Sequence, residues 1–397
     1  MPAVELRPGI YWIGVNDRTT DLFEGLWPIT SEGVSYNAYV IDADKKVLID
    51  AARDIKGDAL LDQIEEVVDP SSLDYIVVNH MEPDHTGVLR TLRRIAPKAT
   101  ILCTKRALKM LVSYYQVTGS VQTVDDGEIL DLGSHQLQFY MAPMVHWPET
   151  MVTYEAAHRV LFSCDAFGGY GALQGAIFDD EYADLAFYEE QALRYYANIV
   201  ALFPKPVLKA IERLSGVPVD VIAPSHGLVW RRDPGRIIEL YRRWANFALD
   251  GPEPGVTLMY GTMYGNTEKV VEAVATGVAR AGVPIDVFDV RHVHPSYILP
   301  SVYTKSGVLV GAPTYEGELF PPMAHVLDLI SRKRITNRKA AYFGSYGWSG
   351  GARREVSRWA EQLEWDLTEA WEFPGSAARE DLIKAESLGY SFAMQLK

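Results

Sequence analysis

Apolar and β-branched residues come in short runs separated by turn signals through the first part of the chain. The runs are Ala38–Ile41, Val47–Ile49, Tyr75–Val78, Gln136–Met141, Arg159–Ser163 and Pro218–Ile222, and each predicts a strand. Helical spacing of apolar positions recurs between some of them, at Gly57–Val67, Leu92–Ile95, Lys105–Tyr115 and Tyr188–Leu214. Strands clustered early with helices interspersed predict an α/β domain with mixed sheets. The segment Leu249–Gly255 carries Gly251, Pro252, Pro254 and Gly255, so no helix continues through it. Beyond it strand, loop and helix alternate regularly. Val256–Tyr260, Ile285–Val290, Gly307–Val310, Lys339–Phe343 and Asp366–Glu372 predict strands, with helices starting near Thr267, Pro322, Ala352 and Ala378. That rhythm predicts a doubly wound parallel sheet. The expected domains are residues 1–250 and 251–397.

With 48% hydrophobic and 23% charged residues, the chain has the make-up of a globular protein with sizeable cores. Its net charge of −14 argues against nucleic acid or an anionic membrane as partner. The charge is uneven: residues 1–250 carry 23 basic and 35 acidic side chains, residues 251–397 carry 15 and 17. Cys103 and Cys164 are the only cysteines, which excludes a disulfide scaffold and any multi-cysteine iron–sulfur or rubredoxin-type centre within the chain. The N-terminus lacks an apolar signal segment and no apolar stretch approaches a membrane span, so a cytoplasmic location is expected.

Six metal-ligand-type side chains then change the picture. His80, Glu82 and Asp84 lie in Asn79-His80-Met81-Glu82-Pro83-Asp84-His85-Thr86-Gly87. Pro83 biases Glu82 away from helix, and alternation by two predicts the three on one side of the backbone. His146, Asp165 and His226 each stand beyond a predicted strand, beside small or rigid residues. Three imidazoles with three carboxylates and no thiolate suffice for two metal ions and lean toward iron over zinc. Taken singly, each of these is as well explained as a cap or a satisfied polar residue; the set is what points to metal. His135, His158, His292, His294 and His325 are expected in surface or capping roles. Trp147, Tyr11, Phe23, Trp27 and Tyr36 either wall a small apolar pocket or belong to the core.

Three loops after strands of the second half carry a different chemistry. In the first, Gly261-Thr262-Met263-Tyr264-Gly265-Asn266-Thr267 joins a strand to a helix. Threonine hydroxyls, a permissive glycine and a helix N-terminus suit a phosphate there. The second includes Pro313, Thr314, Tyr315, Glu316 and Gly317; the third includes Ser345, Tyr346, Gly347, Trp348, Ser349 and Gly350. Both combine glycines with aromatics able to flank an isoalloxazine. No Gly-x-Gly-x-x-Gly pattern indicates an NAD or FAD site.

On these residues the chain resembles the metallo-β-lactamase-like fold and, within it, the flavodiiron proteins (A-type flavoproteins), over essentially its whole length. The intervals between Asp84, His146, Asp165 and His226, of 61, 18 and 60 residues, resemble that family's ligand ladder. Zinc hydrolases of the superfamily usually have His at the place of Glu82. The resemblance implies an N-terminal αββα sandwich and a C-terminal flavodoxin-like domain. It implies two non-haem iron ions: His80, Glu82 and His146 on one, Asp84 and His226 on the other, Asp165 bridging. His85 is left open, since hydrolase relatives use the equivalent histidine and the flavodiiron pattern often does not. The Thr-x-Tyr-Gly-Asn-Thr-Glu signature is similar to that of flavodoxins and implies FMN. The implied activity is reduction of dioxygen to water or of nitric oxide to nitrous oxide. Electrons would come from an external donor, a rubredoxin or reduced deazaflavin. A head-to-tail homodimer, or a dimer of such dimers, is implied as well.

Two other readings use the same residues. A binuclear zinc hydrolase fused to a flavodoxin-like module would employ a bridging hydroxide, and Glu82 and the flavin loops count against it. A pure electron carrier with a vestigial metal domain would not need all six ligand positions filled.

Overall fold

The computed structural model describes residues 1–397. The chain forms two compact units, Met1–Arg243 and Trp244–Lys397. The division falls inside the helix Pro234–Phe247, before the 250/251 boundary expected from the linker. A local bond accounts for this: the Tyr303 hydroxyl donates to the carbonyl of Trp244 at 2.9 Å, tying the last helical turn to the second unit.

The first unit contains two mixed sheets. One runs in the order Val4–Arg7, Ile10–Trp12, Tyr39–Ile41, Val47–Ile49, Tyr75–Val77, Thr100–Cys103, Val121–Thr123. The other runs Ile129–Asp131, Gln136–Met141, Met151–Glu155, Val160–Cys164, Val221–Pro224. Their facing sides meet where the Tyr39 ring packs on Phe162 with centroids 5.0 Å apart. Central strands such as Val47–Ile49 and Val160–Cys164 are buried at every position, so they read as continuous apolar runs and not as alternation. Amphipathic helices add one face each to the core, Lys105–Tyr115 through Ala107 and Leu111, for example.

Two predicted elements differ from the expectation. Tyr188–Leu214 is two helices, Ala186–Tyr195 and Pro204–Leu214, joined by a π-helical turn at Tyr196–Val200. Pro204 and Pro206 lack the N–H groups to continue a helix but suit its first turn. His80, Glu82 and Asp84 do not share one side of an extended backbone. Glu82 is extended, and Pro83 then starts the short helix Pro83–Thr86, which turns Asp84 and His85 away from His80 and Glu82.

The second unit is a five-stranded parallel sheet in the order Ile285–Asp289, Glu253–Tyr260, Lys305–Gly311, Lys339–Tyr346, Asp366–Pro374. Numbered within the unit this is 2-1-3-4-5, the flavodoxin-like order, whose switch point lies between its first and third strands. Val256, Leu258, Leu309 and Phe343 pack with the helices Glu268–Arg280 and Arg379–Met394 in its core. No helix of the chain is long and apolar enough to cross a membrane.

Candidate metal centre and cofactor loops

Strand ends and the short helix after Pro83 bring all six predicted ligands together, and they form two adjoining groups. Nε2 of His146 lies 3.0 Å from Oε2 of Glu82, and Nε2 of His80 lies 3.3 Å from the same oxygen. Nε2 of His226 lies 3.2 Å from Oδ2 of Asp84. Asp165 faces both groups with different oxygens. Its Oδ2 is 3.3 Å from His146 and 3.5 Å from His80, while its Oδ1 is 3.4 Å from His226. His85 joins the second group, its Nε2 2.9 Å from Asp165 Oδ1 and 3.4 Å from Asp84 Oδ1.

The electrostatics suit cations. Burial alone would push the four imidazoles down, yet the facing carboxylates outweigh it. They raise His80, His85 and His226 to about 9 and His146 to about 10. Burial likewise opposes ionisation of Glu82 and Asp165, and the surrounding imidazoles still hold both carboxyls well below the usual range. Both carboxylate oxygens of Asp84 and of Asp165, and Nε2 of His85 and of His226, are buried without a hydrogen-bond partner. Buried charges in such an arrangement need pairing or a metal. The same atoms converge from both groups, so the residues fit a metal pair. The Cys164 thiol lies beside His85 and Asp165, but burial and the Asp165 charge push it well up, so it stays neutral.

The tautomers are set from behind. Nδ1 of His226 lies 2.7 Å from the Ser35 carbonyl, which can only accept, so Nδ1 carries a proton and Nε2 is the nitrogen left to face the ligand group. His80 is held the same way by Glu149, at 2.7 Å. A cavity of about 190 Å³ opens on Glu82 and Asp84, walled by Phe23, Glu24, Tyr36 and Arg53. Phe23 and Tyr36 also pack edge-on against His226, with centroids 5.5 and 5.8 Å away. Trp147 packs edge-on against His80 at 4.9 Å, outside the cavity lining. Tyr11 pairs within the first sheet, and Trp27, paired with Phe23 in the hairpin Leu22–Pro28, is buried.

The three loops of the second unit follow neighbouring strands. Thr262 Oγ1 accepts the Gly265 N–H at 3.0 Å, and Gly265 has a φ of +84° that a side chain would strain. Thr267 Oγ1 lies 3.0 Å from Ser345 Oγ, linking the first loop to the third. In the second loop Thr314–Tyr315 pairs with Glu318–Leu319 across the left-handed residues Glu316 and Gly317. A Cβ on Gly351 would lie 2.0 Å from the Gly317 carbonyl oxygen, so the second and third loops touch through glycine. Tyr264 is 89% and Trp348 92% exposed, two large aromatic faces at these loops. Hydroxyls and a helix N-terminus for a phosphate, with open aromatic faces for a ring, fit a flavin mononucleotide.

Residues 34–227 match the family described as ODP family beta lactamase, and residues 258–381 match Flavodoxin. A nitric oxide reductase of Moorella thermoacetica is 34% identical over 99% of this chain and 98% of its own length. An anaerobic nitric oxide reductase flavorubredoxin of Vibrio vulnificus is 38% identical over 88% of this chain and 71% of its own. Among solved structures, the rubredoxin oxygen:oxidoreductase of Desulfovibrio gigas superposes with a TM-score of 0.93 at 29% identity. It covers 99% of this chain and 98% of that one. The flavodiiron protein of Giardia intestinalis gives 0.94 at 27% identity, over 100% of this chain and 97% of that one. The chain belongs to the flavodiiron family.

As a flavodiiron protein it has the expected two-domain α/β architecture, and it is an oxidoreductase, which sets the hydrolase reading aside. Several contributors to its site were not found from the sequence. Glu149 stands three residues after His146, but its role depends on reaching His80 through space. Ser35 holds His226 through its carbonyl and accepts the neighbouring Gly227 N–H at its hydroxyl, at 2.8 Å. Glu372 brings Oε1 to 3.4 Å from the Thr314 hydroxyl and accepts the Gly351 N–H at 3.3 Å, joining two flavin loops. Glu24, itself at an exposed hairpin tip, lines the cavity; burial of its carboxyl and the charge of Glu82 push it up to about 7. His85, left open above, lies within the second ligand group.

Proposed function

We propose that this flavodiiron protein reduces nitric oxide to nitrous oxide, dioxygen to water, or both, with electrons entering through FMN and reaching a diiron site. The observation that carries the reading is Asp165, whose two oxygens face two separate groups of ligand-type side chains. In this reading His80, Glu82 and His146 hold one iron, Asp84 and His226 the other, and Asp165 bridges them, with His85 beside the second. Bound in these loops, FMN would supply two-electron uptake with one-electron release, and irons held by these side chains would supply the redox site for the gas. Glu149 and Ser35 hold Nδ1 of His80 and His226 and so turn Nε2 of each toward where the metals would sit. The 190 Å³ cavity at Glu82 and Asp84 admits only a small molecule.

We assign the diiron chemistry to residues 1–250 and the flavin to residues 251–397. Thr262, Met263, Tyr264, Gly265, Asn266 and Thr267 take the phosphate end, and Pro313 to Gly317 with Ser345 to Gly350 take the ring. The electron donor is a rubredoxin-type protein, as the names of relatives suggest; reduced deazaflavin is the other candidate. A cytoplasmic location and a head-to-tail homodimer complete the proposal. Such a pairing closes on itself and would set one protomer's flavin beside its partner's irons. The test is anaerobic reduction of the iron- and FMN-loaded protein, followed by mixing with each gas in parallel. Consumption of either gas with flavin reoxidation supports the reading. Flavin cycling without gas consumption, or zinc with ester hydrolysis, sinks it. Full turnover by a verified monomer would remove the dimer.

A further inference from the structure

A second set of metal-ligand side chains lies outside the diiron groups. His135 closes the turn before the strand Gln136–Met141, Glu155 ends the strand Met151–Glu155, and His158 sits in the turn leading into Val160–Cys164. Both histidines are expected from the sequence in surface or capping roles, a role that His294 does fill by accepting the Ser296 N–H. His135 and Glu155 are instead buried. Nδ1 of His135 lies 3.1 Å from Oε1 of Glu155, and Nδ1 of His158 lies 3.3 Å from Oε2. The three donor atoms all fall within 4.8 Å of one another.

We propose that His135, Glu155 and His158 form a third metal site, holding one zinc-type divalent ion apart from the iron pair. Two imidazole nitrogens and one carboxylate, with a position left for water, are a known zinc-binding set. Ligand atoms on a tetrahedral zinc ion stand about 3.3 Å apart, given bond lengths near 2.0–2.1 Å; each imidazole nitrogen here stands at about that distance from one Glu155 oxygen, His135 from Oε1 and His158 from Oε2, so the carboxylate would face the ion with both oxygens. A purely hydrogen-bonded trio explains less, because Nδ1 of His158 is buried without a hydrogen-bond partner although a carboxylate oxygen stands beside it.

The supporting contacts are those a metal ligand set needs. Glu155 accepts the Ala157 N–H at Oε1, at 3.1 Å, and the His158 N–H at Oε2, at 2.8 Å. These bonds orient the carboxylate and leave lone pairs on both oxygens. Behind His135, a Cβ on Gly9 would lie 3.0 Å from Nε2, so glycine lets the ring back against the chain with Nδ1 turned to Glu155. The His158 side chain is 27% exposed, which gives an ion and a water a way in. The ion would fasten the hairpin whose second strand, Val160–Cys164, leads into Asp165.

The test uses the full-length, iron-loaded protein, with Zn²⁺ as titrant and Co²⁺ as a spectroscopic probe. One further equivalent of zinc should bind without release of iron, and cobalt should give the absorption of a four-coordinate site. His158→Ala should weaken zinc binding by more than the ~10–100-fold that loss of an outer-shell partner costs, with iron content and gas reduction unchanged. His135→Ala should do the same; if it fails to fold, wild type against His158→Ala decides. No further equivalent in the wild type, uptake only as iron leaves, or equal affinity in the variants overturns the proposal.

Discussion

Oε1 of Glu149 lies 2.7 Å from Nδ1 of His80, and neither side chain has exposed surface. The same carboxylate oxygen accepts the Met81 N–H at 3.0 Å. Two donors thus fix one carboxylate behind His80, and the histidine can present only Nε2 to the proposed metal. Glu149→Gln keeps the shape but removes the charge, so iron held by His80, Glu82 and His146 should bind ~10–100-fold more weakly. Competition with a chelator measures this, and an unchanged iron affinity would remove Glu149 from the site.

His85 has both ring nitrogens buried without hydrogen-bond partners, and its Nε2 is 2.9 Å from Asp165. If it ligates, His85→Ala should release the second iron while the first stays. The loss should exceed the ~10–100-fold typical of an outer-shell change. Two irons retained per chain with full turnover would place His85 outside the ligand set.

At Gly351 a Cβ would collide with the Gly317 carbonyl oxygen. Gly351→Ala should therefore separate the second and third flavin loops, at a cost of about 1–3 kcal/mol. FMN should bind about tenfold more weakly or worse, while iron content is unaffected. Fluorescence titration of the FMN-free protein reads the change.

How far the site was legible in the sequence follows from range. His80, Glu82, His146, Asp165 and His226 stand beyond apolar runs that are strands, so strand ends alone forecast their meeting. The turn at Pro83 was legible as a break but not in direction, and only the helix Pro83–Thr86 shows that it sends Asp84 to the other group. Met151–Glu155 escaped because it is buried at every position and carries Thr153 and Glu155, so it shows neither alternation nor an unbroken apolar run. Pro295–Thr304 escaped because Pro295 and Pro300 read as breaks; in the fold Pro295 takes the first turn and Pro300 lies inside the helix. Glu149 and Glu372 act on partners distant in sequence, which no local spacing reveals.

Asp17 supplies an acid-stability test away from the metals. Burial pushes its carboxyl up, but hydrogen bonds from Thr20 and Thr19 and the Lys56 ammonium, 3.1 Å away, outweigh that and hold it at about 2. Between the usual carboxylate value and about 2, the unfolded chain binds a proton that the folded one does not. Stability from this group is therefore complete above about pH 4 and is lost as pH falls toward 2. Melting temperatures of metal-free wild type and Asp17→Asn, followed over that window, should show a shallower acid limb in the variant. Parallel limbs would contradict the assignment.

The most direct measurement of the central claim is rapid anaerobic mixing of FMN-reduced, iron-loaded protein with nitric oxide, beside Asp165→Ala prepared identically. The account predicts that the wild type reoxidises its flavin and yields nitrous oxide, while the variant keeps FMN bound and reduced. Equal flavin reoxidation and nitrous oxide yield in the two proteins would contradict it.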